Sequence, residues 1–295
     1  MPSLKEVRNR IVSVNSTQQI TKAMKMVSAA KLRRATDAIV QMRPYSKKLT
    51  EMIATVSANA EGAKENPYTV VREINRVLII AVSSDRGLCG AFNANIGKTT
   101  AGLINEKYAA QQEAGKVEIL AIGKKAAEYL TRRGYKVNQK YADIFTRLSF
   151  PSVREAADYA MNSFAEGEFD VVELVFNEFK NVATQILRAE QLLPLVEKKE
   201  ENKQKTTTAD YIFEPSEEEI INELIPKALK LQVYKAVLES NASEHGARMT
   251  AMDKATDNAG ELLKELKLQY NRSRQAAITK EILEIVGGAE ALAAE

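Results

Sequence analysis

Val77–Val82 reads VLIIAV, and this unbroken apolar run decides the class of fold. Such a run, rich in β-branched side chains, suits a strand buried on both faces, as in a parallel sheet covered by helices. A glycine-containing turn, SSDRGLCGAFN (residues 83–93), follows it, and then a helical stretch over about residues 92–107. VEILAI (Val117–Ile122) repeats the strand pattern, and residues 124–133 read as a helix closed by Gly134. Ser152 with Glu155 forms a capping box for another helix ending near Glu166. VVELVF (residues 171–176) is a third strong strand. Residues 183–193 and 211–214 read as further strands, separated by the charged stretch VEKKEENKQKTTT. This alternation predicts an α/β domain with a mostly parallel, five-stranded, Rossmann-like sheet.

Outside the domain the periodicity changes. Ser3 with Glu6 is a capping box, no glycine precedes Gly62, and Pro44 is the only proline between Pro2 and Pro67. A walk in steps of three and four from Leu4 to Val56 meets apolar residues at 11 of 16 positions, the pattern of a coiled-coil seam. Four consecutive positions break it: Gln18, Thr21, Lys25 and Ser28. A displaced stripe of Ile20, Met24 and Val27 lies beside them, so the contact face is expected to rotate there, by a register shift or toward a different partner.

The C-terminal end has a matching pattern. Pro215 precedes a Ser216/Glu219 capping box, and a heptad walk runs from Leu224 to Ala277, interrupted by Lys235, His245, Thr256 and Ser273. Gly246 and Gly260 each cost about 1 kcal/mol relative to Ala in a helix, so outside support is expected. Gly287 and Gly288 read as a helix stop. At 1.5 Å per residue the two helices would be roughly 84 Å and 106 Å long, too long to fold inside one small domain. The expected organisation is an N-terminal shaft helix (residues 1–60), an α/β foot domain (61–215) and a C-terminal shaft helix (216–295), the helices pairing as an antiparallel coiled coil.

Charge supports that pairing. Residues 1–60 carry 11 Lys/Arg against three acidic residues, a balance of +8, whereas residues 216–295 carry 10 against 14, a balance of −4. The basic first helix is complementary to the acidic last one. With 45% hydrophobic and 27% charged residues over 295 positions, the chain can build a core and is not a disordered tail. No run of about 18 apolar residues spans a bilayer, and the N-terminus lacks the apolar block of a secretory signal.

Composition also limits the chemistry. Cys89 and His245 are the only cysteine and the only histidine, so an intrachain disulfide is impossible and a zinc or iron site is poorly supplied. No cofactor is expected. Residues 83–96 sit where phosphate loops sit, yet match neither GxxxxGK[ST] nor GxGxxG, and a structural βα turn is the preferred reading. Cys89 reads as a buried structural thiol and His245 as a polar seam residue. Lys22, Lys25, Lys31, Arg33 and Arg34 form a basic cluster, but no aromatic residue precedes Tyr45, and contact with an acidic protein surface fits better than nucleic acid. The residues alone lead to a rod-bearing, non-enzymatic protein. An α/β phosphate-binding enzyme carrying a coiled-coil arm is the alternative.

Longer words in the sequence carry a resemblance. ITKAMKMVSAAKLRRA (residues 20–35), SSDRGLCGAFN (83–93), ARMTAMDKATDNAGELLKEL (247–266) and YNRSRQAAITKEILEIVGGAEA (270–291) resemble the gamma-subunit family of F-type, proton-translocating ATP synthases, in that family's order from Ser3 to Ala291. The resemblance implies a non-catalytic central rotor shaft that couples proton flow to ATP synthesis or hydrolysis. Its partners would be three alpha and three catalytic beta subunits, the epsilon subunit and the c-subunit ring, with membrane association only through them.

The same resemblance implies residue roles. Lys22, Met24, Lys25, Arg248, Arg274, Gln275 and Thr279 would contact the catalytic subunits, with Met24 as the coupling contact. Ile282, Ile285 and Val286 would sit in an apolar bearing, and Tyr211 and Glu214 would face the c ring. The expected location is the cytoplasmic face of a bacterial inner membrane. No extra segment with paired cysteines is present, so thiol switching of the chloroplast type is not expected.

Overall fold

The computed structural model describes residues 3–59, 66–195 and 217–293. In chain order the elements are α1 (Leu4–Asn59), β1 (Val77–Val82), α2 (Phe92–Lys107), α3 (Ala109–Glu113), β2 (Val117–Ile122), α4 (Lys124–Thr131), β3 (Val137–Asn138), a 3-10 turn (Ile144–Arg147), α5 (Phe150–Ala165), β4 (Val171–Phe179), β5 (Gln185–Leu193) and α6 (Glu217–Ala293). The chain divides into two compact units, Met1–Ser28 with Met249–Glu295, and Ala29–Arg248. The expected strand over residues 211–214, the charged loop before it and Ser216 of the capping box lie outside the described residues.

The larger unit is built on one sheet in the order β3-β2-β1-β4-β5. β1 pairs in parallel with β2 and β4, β2 in parallel with β3, and, among the described strands, only β5 is antiparallel, to β4. Alternate residues of β1 serve two cores, as the pleat requires. Leu78, Ile80 and Val82 pack with Val153, Ala157, Met161 and Phe164 of α5. Val77, Ile79 and Ala81 pack with Ile96 and Ile104 of α2 and Leu130 of α4.

The first core also takes in α6. Ile225, Leu229, Val233, Ala236 and Val237 are buried in it, at helical spacing. The heptad walk misses this stripe because α6 has two apolar faces here. Leu224, Ala228 and Leu231, the walk residues, are only half-buried. In α1 the walk residues Leu32, Ala35, Ile39 and Leu49 are buried as expected.

Local signals explain most boundaries. Glu6 N–H donates to Ser3 Oγ at 3.2 Å, confirming half of the first capping box. Gly134, at φ 83°, closes the turn after α4. Two expectations fail. α5 is capped by Ser149, whose hydroxyl accepts from Ser152 N–H, because Pro151 falls in the first turn, where its missing N–H costs nothing. Gly287 and Gly288 do not stop α6, which continues to Ala293. Neither adopts the positive φ of a glycine terminator, and the flanking Ala and Glu residues favour helix. β3, α3 and the 3-10 turn are too short to leave a periodic signal.

The smaller unit is an antiparallel helix pair. Gln18 Nε2 donates to Thr256 C=O at 3.3 Å, Thr21 and Thr256 share a hydroxyl hydrogen bond of 2.8 Å, and Lys25 forms an ion pair with Asp253. Positions therefore rise along α1 as they fall along α6. The contact face does not rotate: Thr21 and Ser28 are buried, while Ile20 and Val27 are 60% and 57% exposed. The seam keeps its register and becomes polar. Gly260 faces the Gln18 amide, since a Cβ there would lie 3.0 Å from Gln18 Nε2.

Candidate functional site: the helix pair and the β1–α2 turn

In the smaller unit, Met252, Ala259, Leu263 and Leu266 of α6 are buried, and Tyr270, Ser273 and Ala277 are half-buried. Every residue from 278 to 289 is exposed. The register of Gln18, Thr21 and Lys25 with Thr256 and Asp253 explains the change. Continued along the pair, it places Leu4, where α1 begins, opposite about residue 274 of α6. Beyond that point α6 has no facing helix among the described residues.

Six of the expected site residues fall on this unpaired end. At about 100° per residue, Arg274, Gln275, Thr279, Ile282, Ile285 and Val286 share an arc of roughly 140°. Ile282, Ile285 and Val286 are 54%, 71% and 48% exposed, and Ile278 and Leu283 are exposed beside them. A polar belt is followed by an apolar face that none of the described residues shields. Lys22 is exposed and Met24 and Lys25 are half-buried farther along α1. Lys22 and Lys25 line one groove with Asn15, Met26 and Asp253. Met24 is not among its lining residues.

Arg248 belongs to the larger unit and has a different setting. It is 9% exposed, and its guanidinium bonds Glu244 at 2.5 Å, Arg86 C=O at 3.4 Å and Gly87 C=O. Ser84 Oγ donates to Arg86 C=O at 2.7 Å, and Asn93 Nδ2 donates to the same oxygen at 3.3 Å. Two consecutive carbonyls of the β1–α2 turn are thus held by side chains. Asn93 Oδ1 accepts from Ser84 N–H at 3.0 Å, occupying an amide that a phosphate loop would leave for its ligand.

Within the turn, Leu88 has φ 64° and is 66% exposed. Leu88 is thus a non-glycine residue in the left-handed region, held there by clamped neighbours, with a large apolar side chain turned to the surface. Sequence reasoning missed it, because the motif offers glycines on both sides and no sign that the leucine takes the strained conformation.

Burial governs the titratable groups here. It pushes the Cys89 thiol up from its ordinary value, and Cys89 is 1% exposed. Glu244 is also raised by burial, against the lowering effect of Arg248. His245 is pushed down to about 4, first by burial and then by Lys31 and Arg248, so its ring is neutral at physiological pH. Asp85 is raised by burial as well, although it accepts from Lys124 N–H at 3.3 Å. Among the described residues no cluster of three His, Cys, Asp or Glu side chains could hold a metal ion. No helix among the described residues is long and apolar enough to cross a membrane. Tyr211 and Glu214 lie outside the described residues.

Comparisons with known proteins bear on the family of the chain. The family described as ATP synthase matches residues 3–292. The ATP synthase gamma chain of Cytophaga hutchinsonii is 62% identical over 293 residues, covering 99% of both chains. That of Flavobacterium johnsoniae is 55% identical over 292 residues, again covering 99% of both. Among solved structures, a chain of the Euglena gracilis mitochondrial ATP synthase, OSCP/F1/c-ring, matches with a TM-score of 0.66 at 21% identity, over 98% of this chain and 94% of that one. A chain of the Tetrahymena thermophila mitochondrial ATP synthase central stalk/c-ring matches with a TM-score of 0.58 at 24% identity, over 80% and 99%. The structural likeness shows a shared fold, and the full-length identity shows descent: the chain belongs to the ATP synthase gamma-chain family.

Proposed function

We infer that this chain is the central rotor shaft of an F-type ATP synthase, turning proton flow through the membrane sector into conformational change at catalytic subunits. The observation that carries the reading is the unpaired end of α6, an exposed apolar face on a helix that has run past its partner. Apolar contact is non-directional, so a ring of partner side chains around Ile282, Ile285 and Val286 holds the tip without fixing its angle, as a bearing must. Arg274, Gln275 and Thr279 reach polar loops of the catalytic ring just below that bearing.

Lys22, Met24 and Lys25 form the coupling contact with an acidic segment of a catalytic subunit. The two lysines supply charge that steers the approach, and Met24 supplies an adaptable apolar surface. Arg248, being buried, reaches partners through the turn it holds, with Leu88 as the contact. Tyr211 and Glu214 contact the c ring. The assembly has three alpha and three beta subunits around one shaft, with epsilon and the c ring at its foot, on the cytoplasmic face of a bacterial inner membrane. Catalysis resides in the partners; the β1–α2 turn, filled by its own Asn93 and Arg248, argues against the alternative of a phosphate-binding enzyme.

The test is co-purification of the tagged chain from its native membranes, with native mass and ATPase assay. One copy recovered with three alpha and three beta subunits, and ATPase activity that the isolated chain lacks, supports the reading. A lone active chain overturns it. In the assembled complex, Met24→Lys is expected to lower proton pumping per ATP hydrolysed while assembly is kept.

A further inference from the structure

The overhanging end of β4 is, we propose, the joint that transmits torque between the sheet domain and the two long helices; the proposal rests on the rotor reading. β1 pairs with β4 only as far as Ala81 opposite Val175, whereas β4 continues to Phe179 with β5 alone beside it. In an antiparallel pair alternate residues turn their N–H and C=O groups away from the partner strand. Asn177 and Phe179 do so here, toward the place β1 has vacated. Four unpaired polar groups on a strand edge that is buried at Asn177 and half-buried at Phe179 are costly.

The helices take all four. Asn177 N–H donates to Ser240 Oγ at 3.0 Å, and Ser243 Oγ donates to Asn177 C=O at 3.2 Å. Phe179 N–H donates to Glu239 Oε2 at 3.0 Å, and Arg43 Nη2 of α1 donates to Phe179 C=O at 3.4 Å. Arg43 also pairs with Glu239 Oε1 at 3.3 Å, closing the set. Glu239, Ser240 and Ser243 are each 1% exposed or less. One turn further along α6, Gly246 faces the same strand end, where a Cβ would lie 3.4 Å from the Phe179 ring and 3.7 Å from Val182 Cα, ordinary contact distances.

The mechanical consequence follows from direction. The apolar stripe of Ile225, Leu229 and Val233 would tolerate small sliding or rolling, since burial has no preferred angle. Hydrogen bonds weaken steeply away from their geometry, and a one-residue roll of α6, about 100°, would break its three together. Because Arg43 and Glu239 come from different helices and meet on one residue, Phe179, the joint registers both helices to the sheet. Arg43 is half-exposed at 52%, so its share in fold stability is small beside its place in this linkage.

The experiment uses the assembled complex, stalled with the catalytic ring fixed, and reads the angular fluctuation of a bead attached to the sheet domain. Ser240→Ala with Ser243→Ala, and separately Arg43→Gln, should each raise the angular variance about twofold while subunit composition and ATP hydrolysis are kept. Unchanged variance in complexes that assemble and rotate overturns the joint. Arg43→Gln keeps the test decisive if the double serine variant fails to fold. A wild-type chain that never enters the ring would instead refute the rotor reading, so the two failures are distinguishable.

Discussion

Thr21 and Thr256 meet hydroxyl to hydroxyl at 2.8 Å, and each is a residue that breaks the apolar repeat of its own helix. The two interruptions are therefore one feature, a polar layer inside a continuous seam. Each hydroxyl also lies within reach of a carbonyl of its own helix, Gln18 C=O at 3.0 Å and Met252 C=O at 2.7 Å. Replacing both by Val removes the pair without stranding a polar group. The double variant should unfold at or above the wild-type temperature, whereas Thr21→Val alone should cost about 0.5–1 kcal/mol. Thermal unfolding followed by circular dichroism measures both, and a double variant worse than the sum of the singles would contradict the account.

Leu88 carries a φ of 64° in a clamped turn. At an ordinary exposed position Ala is more stable than Gly, but here Leu88→Gly should exceed Leu88→Ala by about 1 kcal/mol. Denaturant midpoints of the two variants decide the point, and the usual order would show that the conformation is not strained.

Gly123 combines a φ of 99° with a close approach, since a Cβ there would lie 2.4 Å from Ser83 C=O. That carbonyl belongs to backbone, which cannot swing aside. Gly123→Ala should therefore cost about 3 kcal/mol or more. A denaturation midpoint near wild type would mean that the β2–α4 turn can open.

His245 titrates near 4 in the fold and near 6.5 when unfolded, so the unfolded chain binds the proton first as pH falls. Its contribution is complete above about pH 6.5 and is lost as pH falls to about 4, amounting to about 2 kcal/mol once residual solvent exposure is allowed for. Lys31 and Arg248 also act on the ring, and Glu244, raised by burial, takes up a proton in acid too. The comparison is thus with His245→Gln, whose stability should fall less between pH 6.5 and 4. Parallel curves would remove His245 from the account.

Ile282, Ile285 and Val286 are exposed at the end of α6. Changing all three to Ser should leave the unfolding of the sheet domain unchanged, because none of them contributes to its core. Incorporation into the catalytic ring should fall at least tenfold, as measured by co-purification. Full incorporation would show that the tip is not held by apolar contact.

What could be read from the chain alone was whatever leaves a period. VLIIAV and VEILAI announce strands covered on both faces, and the walk from Leu4 through Val14 and from Leu32 to Leu49 marks a helix seam, because burial of alternate or every third and fourth residue repeats along the chain. The long words around Met24 and Arg274 carried the family. Tertiary structure alone decided the rest, since it depends on which residues meet. Thr21 looked like a fault in a pattern until Thr256 was opposite it. Arg248 read as a contact residue, and the fold buries its guanidinium on the carbonyls of Arg86 and Gly87. Ser240, Ser243 and Glu239 have no local signature at all, because what they satisfy is the end of a strand some 60 residues away. Periodicity records how much a residue is buried; only the folded chain supplies the partner whose geometry gives that burial a purpose.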